Sequence, residues 1–353
     1  MKVVVLGASG NVGTAVLRAL GEADDVADVV AVARRVPRVT PPAPYDVATW
    51  VSVDVGGKDG DSVVATLAGA MAGADAVIHL AWAIQPNHDR ERLRRTNFLG
   101  TARMLAAARV AGVDNVVIAS SVGAYSPGAD AGPVDETWPI GGVDSSEYSV
   151  DKADVEQLLD EHELAHQEVR ITRLRPALIF QRDAGSEIYR YFVGGAVPPV
   201  VFRGILPVLP WPNSMTVQAL HANDVAQAYL AAVRARPGGA FNVAADDVLG
   251  GVEISSLLAG GRLVEVPKLP LRAALSGAWN ARIVPVSPGW IDMAAALPVM
   301  STAKAKSVLG WSPRHTAYDT VAEVLGGMVD GAGTASPPLR PRSGRVATTP
   351  STT

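Results

Sequence analysis

The chain has 353 residues, of which 48% are hydrophobic, so a sizeable core is available and global disorder is excluded. Its 31 basic and 35 acidic residues leave a net charge of −4, which favours neither nucleic acid nor an anionic membrane as a partner. The absence of cysteine excludes a disulfide framework and any thiolate metal site.

Short apolar runs alternate with helical patterns over the first two-thirds of the chain. The runs are continuously apolar, which is typical of parallel strands covered on both faces. The predicted strands are Val3–Leu6, Val29–Val32, Val51–Val53, Ala76–Ile78, Asn115–Ile118 and Val169–Thr172. The predicted helices are Asn11–Leu20, Asp61–Met71, Arg90–Ala111 and Glu147–His166. This order predicts an α/β fold with a doubly wound parallel sheet, a Rossmann domain, over residues 1–175.

The pattern loosens after Pro176. A Gly/Pro-rich stretch (194–212) precedes a predicted helix, Ala222–Ala235, and a predicted strand, Phe241–Val243. We expect a smaller C-terminal substrate lobe over residues 176–330, with some elements returning to the Rossmann core. Residues 331–353 are rich in Pro, Ser, Thr and Gly and predict a disordered tail.

The chain is expected to be cytoplasmic, without a membrane partner. Met1-Lys2 runs directly into a strand pattern rather than into a secretory signal. The most apolar longer stretch, 193–211, contains Arg203 and four prolines, which would break a spanning helix.

The loop after the first strand carries three glycines at a spacing typical of dinucleotide binding. Gly7, Gly10 and Gly13 lie between a strand and a helix start, where they permit a tight turn, close approach of a pyrophosphate and helix–strand packing. The helix N-terminus offers N–H groups to the phosphates. The loop therefore predicts a nicotinamide dinucleotide site.

The residue after the second strand bears on which dinucleotide binds. An NAD-selective site usually carries Asp or Glu there for the ribose 2′-hydroxyl, whereas this chain has Arg34, followed by Arg35 and Arg38. With no carboxylate expected within reach, the three cations favour NADP over NAD. Asp54, after the third strand, is a candidate acceptor for the adenine amino group, or a turn cap.

A tyrosine and a lysine stand four residues apart at a helix start. Tyr148 and Lys152 therefore share one helix face, and the ammonium together with a nicotinamide cation would lower the phenol pKa toward the working range. Ser121, at the end of the fifth strand, is placed to hold a carbonyl oxygen. The candidate catalytic residues are Ser121, Tyr148 and Lys152.

Several motifs give the chain a resemblance to the extended short-chain dehydrogenase/reductases, the NAD-dependent epimerase/dehydratase family, from Lys2 to about Leu325. They are GASGNVG (7–13), HLAW (79–82), TNFLGT (96–101), SSVGAYSP (120–127), YSVDK (148–152), RLRPALIF (173–180), HANDVA (221–226) and LGWSP (309–313). The resemblance implies Tyr148 as general acid/base and Lys152 on the nicotinamide ribose. Asn97 would brace the neighbouring helix, and His221 and Asp224 would help close the lobe on the sheet.

The resemblance and the glycine loop together assign the cofactor-binding residues. These are Gly7, Ser9, Gly10, Asn11, Val12, Gly13, Arg34, Asp54, Val55, Leu80, Ala81, Trp82, Asn97, Tyr148, Lys152 and Pro176.

Two departures from the family pattern narrow the chemistry. Sugar 4,6-dehydratases of the family place Asp-Glu after the catalytic hydroxyl residue, whereas Val122-Gly123 follow Ser121 here. Family NAD-dependent epimerases generally have an acidic residue near position 34. Both departures favour NAD(P)-dependent hydride transfer between nicotinamide and a secondary alcohol or ketone. The alternatives are a nucleotide-sugar epimerase that retains NAD and a non-catalytic dinucleotide sensor.

The sequence of the substrate lobe is compatible with two classes of substrate. Its arginines could grip the diphosphate of a nucleotide sugar, while its aromatic residues suit a moderately apolar carbonyl compound or alcohol. The residues concerned are Arg182, Arg190, Arg203, Tyr189, Tyr191, Phe192, Phe202 and Trp211. A homodimer through the helices Arg90–Ala111 and Glu147–His166 is a further expectation from the resemblance.

One motif matches a known zinc-binding pattern, but its surroundings do not support a metal site. His162–His166 fits the H-E-x-x-H pattern of zinc peptidases, but charged residues flank it at a helix end and no third ligand is identifiable. We therefore predict no metal site.

Overall fold

A computed structural model describes residues 1–36, 41–85, 88–213 and 215–342. The strands are β1 (Lys2–Leu6), β2 (Asp28–Ala33), β3 (Thr49–Ser52), β4 (Ala76–His79), β5 (Asn115–Ala119), β6 (Arg170–Pro176), β7 (Leu178–Phe180), β8 (Leu209–Pro212), β9 (Ala219–His221), β10 (Gly239–Val243) and β11 (Leu263–Val266). The helices are α1 (Asn11–Gly21), α2 (Gly60–Met71), α3 (Arg90–Arg94), α4 (Gly100–Val110), α5 (Glu147–Ala165), α6 (Gly185–Ile188), α7 (Ala222–Ala235), α8 (Gly251–Ala259), α9 (Lys268–Asn280), α10 (Gly289–Ala296), α11 (Ala303–Leu309) and α12 (Ala317–Asp330).

Seven strands form one parallel sheet in the order β10-β6-β5-β4-β1-β2-β3. The predicted Rossmann sheet is thus confirmed, with core clusters on both faces as the continuous apolar runs require. From β1 the strand order runs outward to β2 and β3 on one side and to β4, β5 and β6 on the other, so the order of strand addition reverses between β1 and β4. In doubly wound sheets, ligands bind at this switch point, outside the carboxyl ends of the strands.

Two elements from the second part of the chain complete this domain. The strand predicted at Phe241–Val243 is β10, which pairs with β6 at the edge of the sheet. Helix α7 packs against α1 beneath the sheet. By contrast, β8 and β11 form a separate two-stranded sheet.

The predicted helix Arg90–Ala111 is interrupted. A π-helical turn, Arg95–Leu99, joins α3 to α4. Within that turn, Asn97 exchanges hydrogen bonds of 2.8 and 3.0 Å with the backbone of Ala83. A Cβ on Gly100 would lie 2.8 Å from a methyl of Val55, so the helix runs close to the sheet here. Such turns recur beside functional sites.

The disordered tail predicted from residue 331 needs a correction. Residues 331–342 pack against the Rossmann domain, with Ser336 and Leu339 fully buried. Composition alone misjudges this segment, because Ser336 bonds the carbonyl of Ser9 in the glycine loop and the backbone N–H of Arg342 bonds Ser186 of α6. Residues 343–353 lie outside the described residues. Within the described part of the chain, no helix is long and apolar enough to cross a membrane.

Candidate active site

The glycine loop follows β1 at the switch point, and its shape requires glycine at two positions. Gly7 adopts a φ of +82°, and a Cβ there would lie 2.7 Å from the backbone nitrogen of Ala81. A Cβ on Gly13 would lie 2.6 Å from the backbone of Ala8. Gly10 is the N-cap of α1, which therefore begins without a side-chain cap and leaves its first N–H groups for a ligand.

A cavity of about 670 Å³ opens above this loop, within the range of about 300–1,000 Å³ typical of ligand sites. Of the residues that the sequence assigned to catalysis or cofactor binding, all but Asn97 line it. The close-packed glycines, the uncapped helix start and the size of the cavity fit a dinucleotide.

Asn97 lies elsewhere. It is buried, it bonds the backbone of Ala83, and its Nδ2 lies 3.3 Å from Asp151 Oδ2. Arg90 also grips Asp151 through two hydrogen bonds of 2.5 Å. Asn97 therefore contacts Asp151 of α5 from beside the cavity and does not line it.

At one end of the cavity, Arg34 and Asp54 approach each other. Arg34 Nη1 lies 3.9 Å from Asp54 Oδ2, and both side chains are about half exposed. The expectation that no carboxylate lies within reach of Arg34 was wrong, because β2 and β3 are neighbours whose carboxyl ends meet. Arg35 also lines the cavity, whereas Arg38 lies outside the described residues.

Ser121, Tyr148 and Lys152 meet in the same cavity. Ser121 follows β5 and accepts a 2.9 Å hydrogen bond from Gly123 N, while Tyr148 and Lys152 occupy the start of α5. Burial raises the pKa of Tyr148, and hydrogen bonding to Ser121 only partly offsets it. With its pKa raised by burial, the phenol is protonated at neutral pH.

Lys152 is held by its surroundings. Its Nζ donates a 2.8 Å hydrogen bond to the carbonyl of Ala119 and lies 3.5 Å from the ring centre of Trp82. The Tyr148 ring centre is 5.9 Å from the same nitrogen. Burial lowers the pKa of Lys152 to about 7, against the opposing effect of Glu156 and Asp151. Contact with the indole face favours the charged form of this amine.

The sequence was compared with models of known protein families and with curated proteins. Residues 3–244 match the model of the NAD dependent epimerase/dehydratase family. The chain belongs to this family. No match was found among functionally curated proteins.

Solved structures of similar fold cover nearly the whole chain. A UDP-glucose 4-epimerase from Stenotrophomonas maltophila, with bound NAD and formylated UDP-arabinopyranose, is 20% identical with a TM-score of 0.68, covering 93% of this chain and 98% of that one. A UDP-N-acetylglucosamine 4-epimerase from Bacillus cereus is 18% identical with a TM-score of 0.66, covering 93% and 99%. A Thermus thermophilus UDP-glucose 4-epimerase in complex with NAD is 19% identical with a TM-score of 0.66, covering 93% and 99%. At these identities the likeness shows the fold.

In this member of the epimerase/dehydratase family, helix α10 contributes residues that sequence reasoning missed. Trp290 lies 5.0 Å from the Tyr148 ring, between centroids, and 4.9 Å from that of Phe192. A Cβ on Gly123 would lie 2.9 Å from Tyr148 Cε1 and 3.2 Å from Met293 Sδ. The only sequence signal was an apolar stretch near residue 290, with no motif to place it.

The arginines proposed from sequence to grip a diphosphate do not line the cavity. Arg182 pairs with Asp330, Arg190 donates to the carbonyls of Pro338 and Arg340, and Arg203 is exposed. Of the aromatic residues proposed with them, Tyr191 and Phe192 line the cavity, whereas Tyr189, Phe202 and Trp211 do not.

The remaining polar motifs have structural partners. Glu163 pairs with Arg173, and His166 Nε2 lies 2.9 Å from Arg109. Within the described ranges, no group of three or more metal-ligating side chains is suitably placed. His221 stacks on His315 at 4.0 Å, and the His315 ring lies 3.0 Å from Asp224, which joins α7 to the chain before α12.

Proposed function

We propose that the chain is an NAD(P)-dependent oxidoreductase that interconverts a secondary alcohol and a ketone. The observation that carries the proposal is the meeting of Ser121, Tyr148 and Lys152 in the cavity that the glycine loop borders. When bound there, the nicotinamide cofactor donates or accepts the hydride.

The three side chains then divide the remaining work. Ser121 donates a hydrogen bond to the carbonyl oxygen, and Tyr148 gives that oxygen its proton as the ketone is reduced. In the reverse direction Tyr148 takes the hydroxyl proton as the hydride leaves the carbinol carbon. The ammonium of Lys152 stabilises the phenolate left after proton donation. Because burial raises the pKa of Tyr148, its proton is in place when reduction begins.

The test is Tyr148→Phe, which keeps the ring and removes the proton donor. We expect kcat to fall by roughly 10²–10⁴-fold, with the Kd for the nucleotide nearly unchanged. Tyr318→Phe is the matched control, because the Tyr318 hydroxyl bonds Ser256 and does not line the cavity. Full turnover by Tyr148→Phe on every accepted substrate would rule the proposal out.

We further propose that NADP is preferred over NAD, through the cations Arg34 and Arg35 beside the cavity. The carboxylate of Asp54 opposes this preference, since it faces Arg34 and would repel a 2′-phosphate. Arg34→Ala should weaken NADP more than NAD, and Asp54→Asn should strengthen NADP. Isothermal titration of both nucleotides measures the two ratios, and a ratio unchanged in both variants contradicts the preference.

The alternative is a nucleotide-sugar epimerase with retained NAD. It is favoured by the fold that the chain shares with UDP-sugar epimerases over 93% of its length. It predicts NAD carried through purification and turnover without added nucleotide. Mass analysis of nucleotide released from the protein separates the two. Nucleotide binding without any redox turnover would instead indicate a dinucleotide sensor.

We also propose a homodimer through α3–α5. These helices and the π-helical turn between α3 and α4 carry three exposed large apolar side chains: Leu99 (43% exposed), Val110 (73%) and Leu164 (79%). Leu164→Glu should lower the mass measured by light scattering, whereas Leu269→Glu on α9, where Leu269 is 73% exposed, should not. An unchanged mass in both variants counts against this interface.

A further inference from the structure

The wall of the cavity nearest the catalytic tyrosine is apolar and aromatic. Trp290 and Trp82 flank the Tyr148 ring at 5.0 and 5.9 Å between centroids, and Phe192 continues the wall from Trp290. Met293 lies near both side chains, since a Cβ on Gly123 would lie 3.2 Å from its sulfur, 2.9 Å from Tyr148 Cε1 and 3.3 Å from Ser121 Oγ. A substrate carbon held at Tyr148 is therefore surrounded by rings and a thioether.

This wall is held rigidly over the site. α10 begins at Gly289, where a Cβ would clash with the backbone of Ser145 and Ser146, directly before α5. Arg272 of α9 binds both carboxylate oxygens of the buried Asp292 at 2.8–2.9 Å. The aromatic wall is thus part of the packed structure.

Apart from Lys152, the cations that line the cavity lie toward its other end. Within the described residues, the cavity has four cationic lining residues: Arg34, Arg35, Arg92 and Lys152. Arg92 stands one helical turn before Thr96, which packs on Gly56, two residues after Asp54. Because Thr96 and Asp54 both line the cavity, we place Arg92 toward the Arg34 end. Lys152 lies beside the proposed catalytic tyrosine, 5.9 Å from its ring centre.

The lobe contributes no cation to the part of the cavity that the structure describes. Among the described residues from 176 onward, its only charged lining residue is Glu187, which is 8% exposed. A nucleotide diphosphate held against the lobe would bring at least two negative charges, and no cation of the lobe among the described lining residues would meet them. Proteins bind such groups through arginine forks or helix N-termini, and burying an anion without them is costly. A largely apolar molecule meets no such cost.

We propose that the substrate is an uncharged, mainly apolar secondary alcohol or ketone with a ring beside its reactive carbon, and that nucleotide sugars are excluded. The inference rests on the proposed redox function of Tyr148. The ring would pack between Trp290, Phe192 and Met293, where aromatic and thioether contacts are favourable. The carbonyl oxygen would then face Ser121 and Tyr148.

Binding and turnover test the inference separately. Protein saturated with nucleotide is titrated with acetophenone, cyclohexyl methyl ketone and UDP-glucose while its melting temperature is measured. We expect concentration-dependent rises with the two ketones and none with UDP-glucose. A rise with UDP-glucose, or none with either ketone, overturns the inference. Ketone binding without turnover leaves it standing and removes the proposed function instead. Tyr148-dependent turnover of UDP-glucose overturns the inference about the substrate and leaves the proposed redox function standing.

A matched pair of variants locates the site. Trp290→Ala should raise the KM for the ketones at least tenfold and leave the nucleotide Kd within twofold. Trp279→Ala is the control, because Trp279 stacks on His88 at 4.4 Å and does not line the cavity. Equal KM values in wild type and Trp290→Ala would contradict the proposed position of the substrate ring.

Discussion

Ser336 Oγ donates a 2.6 Å hydrogen bond to the carbonyl oxygen of Ser9, 327 residues earlier in the chain. Thr334 adds a second link through the Tyr45 hydroxyl, which lies 2.6 Å from Thr334 and 3.0 Å from Thr14 of α1. Pro338 lines the cavity itself. Residues 334–338 therefore support the glycine loop, although they lie far along the chain from the βαβ unit that contains it.

We expect Ser336→Ala to weaken the loop without unfolding the protein. The variant removes one hydrogen bond to a buried carbonyl and should cost about 1 kcal/mol of the free energy of unfolding. If the loss of about 1 kcal/mol reflects a less ordered glycine loop in the free protein, the Kd for the nucleotide rises by up to about fivefold. Urea denaturation and titration calorimetry measure the two effects.

Leu339→Ala tests the same segment by packing. Leu339 is fully buried, so its truncation should cost about 2–5 kcal/mol. Ala335→Ser, at an exposed neighbouring position, is the control and should leave stability within about 0.5 kcal/mol. Wild-type stability in Leu339→Ala would show that the segment does not contribute to the fold in solution.

Two glycines of the loop should respond differently to alanine. A methyl on Gly13 would overlap the backbone of Gly7 and Ala8, so Gly13→Ala should cost about 1–3 kcal/mol of stability and also weaken nucleotide binding. At Gly10 the nearest atom to a Cβ is 3.4 Å away, so Gly10→Ala should fold within about 1 kcal/mol of wild type. Its expected defect is in nucleotide binding alone, because Gly10 lines the cavity. Equal stability losses in the two variants would contradict this division of roles.

Gly123→Ala should separate catalysis from folding. The added methyl would press on Tyr148, Met293 and Ser121 at 2.9–3.3 Å and should displace the two hydroxyls that we propose to react. We expect kcat to fall at least about tenfold, which corresponds to about 1.4 kcal/mol in the barrier. Gly69→Ala on the exposed face of α2 is the control, since no atom lies within 4 Å of its Cβ and alanine favours helix. Unchanged kcat in Gly123→Ala would show that the two hydroxyls tolerate displacement.

The sequence predicted those parts of the site that local pattern determines. Gly7 and Gly13 stand between a β-branched run and a helix, and Tyr148 and Lys152 share a helix face by spacing alone. The six strands of the first domain were recognisable because buried parallel strands are continuously apolar.

Features that depend on distant contacts could not be predicted in this way. Trp290 and Met293 reach Tyr148 from a lobe helix without a motif, and Ser336 belongs to a segment whose composition is typical of disorder. The pairing of Arg34 with Asp54 is different, because adjacent parallel strands bring their carboxyl ends together. In the strand order typical of a Rossmann fold, the second and third strands are neighbours, so this contact could have been predicted.

His79 provides a pH-dependent test of the buried region beneath the site. Its ring lies at the end of β4 with Nε2 3.1 Å from the Thr101 hydroxyl, and burial, with a smaller effect of Lys152, lowers its pKa to about 3. The unfolded chain takes up the proton near pH 6.5, whereas the folded chain does not. Stability is therefore complete above about pH 6.5 and is lost as the pH falls toward about 3. Between about pH 7.5 and about pH 5, His79 should cost about 2 kcal/mol. Urea denaturation at the two pH values should show this loss in wild type and in the control His88→Gln, whose side chain is exposed. His79→Leu should lose about 2 kcal/mol less than wild type over the same interval, and an equal loss would mean that another group carries the acid sensitivity.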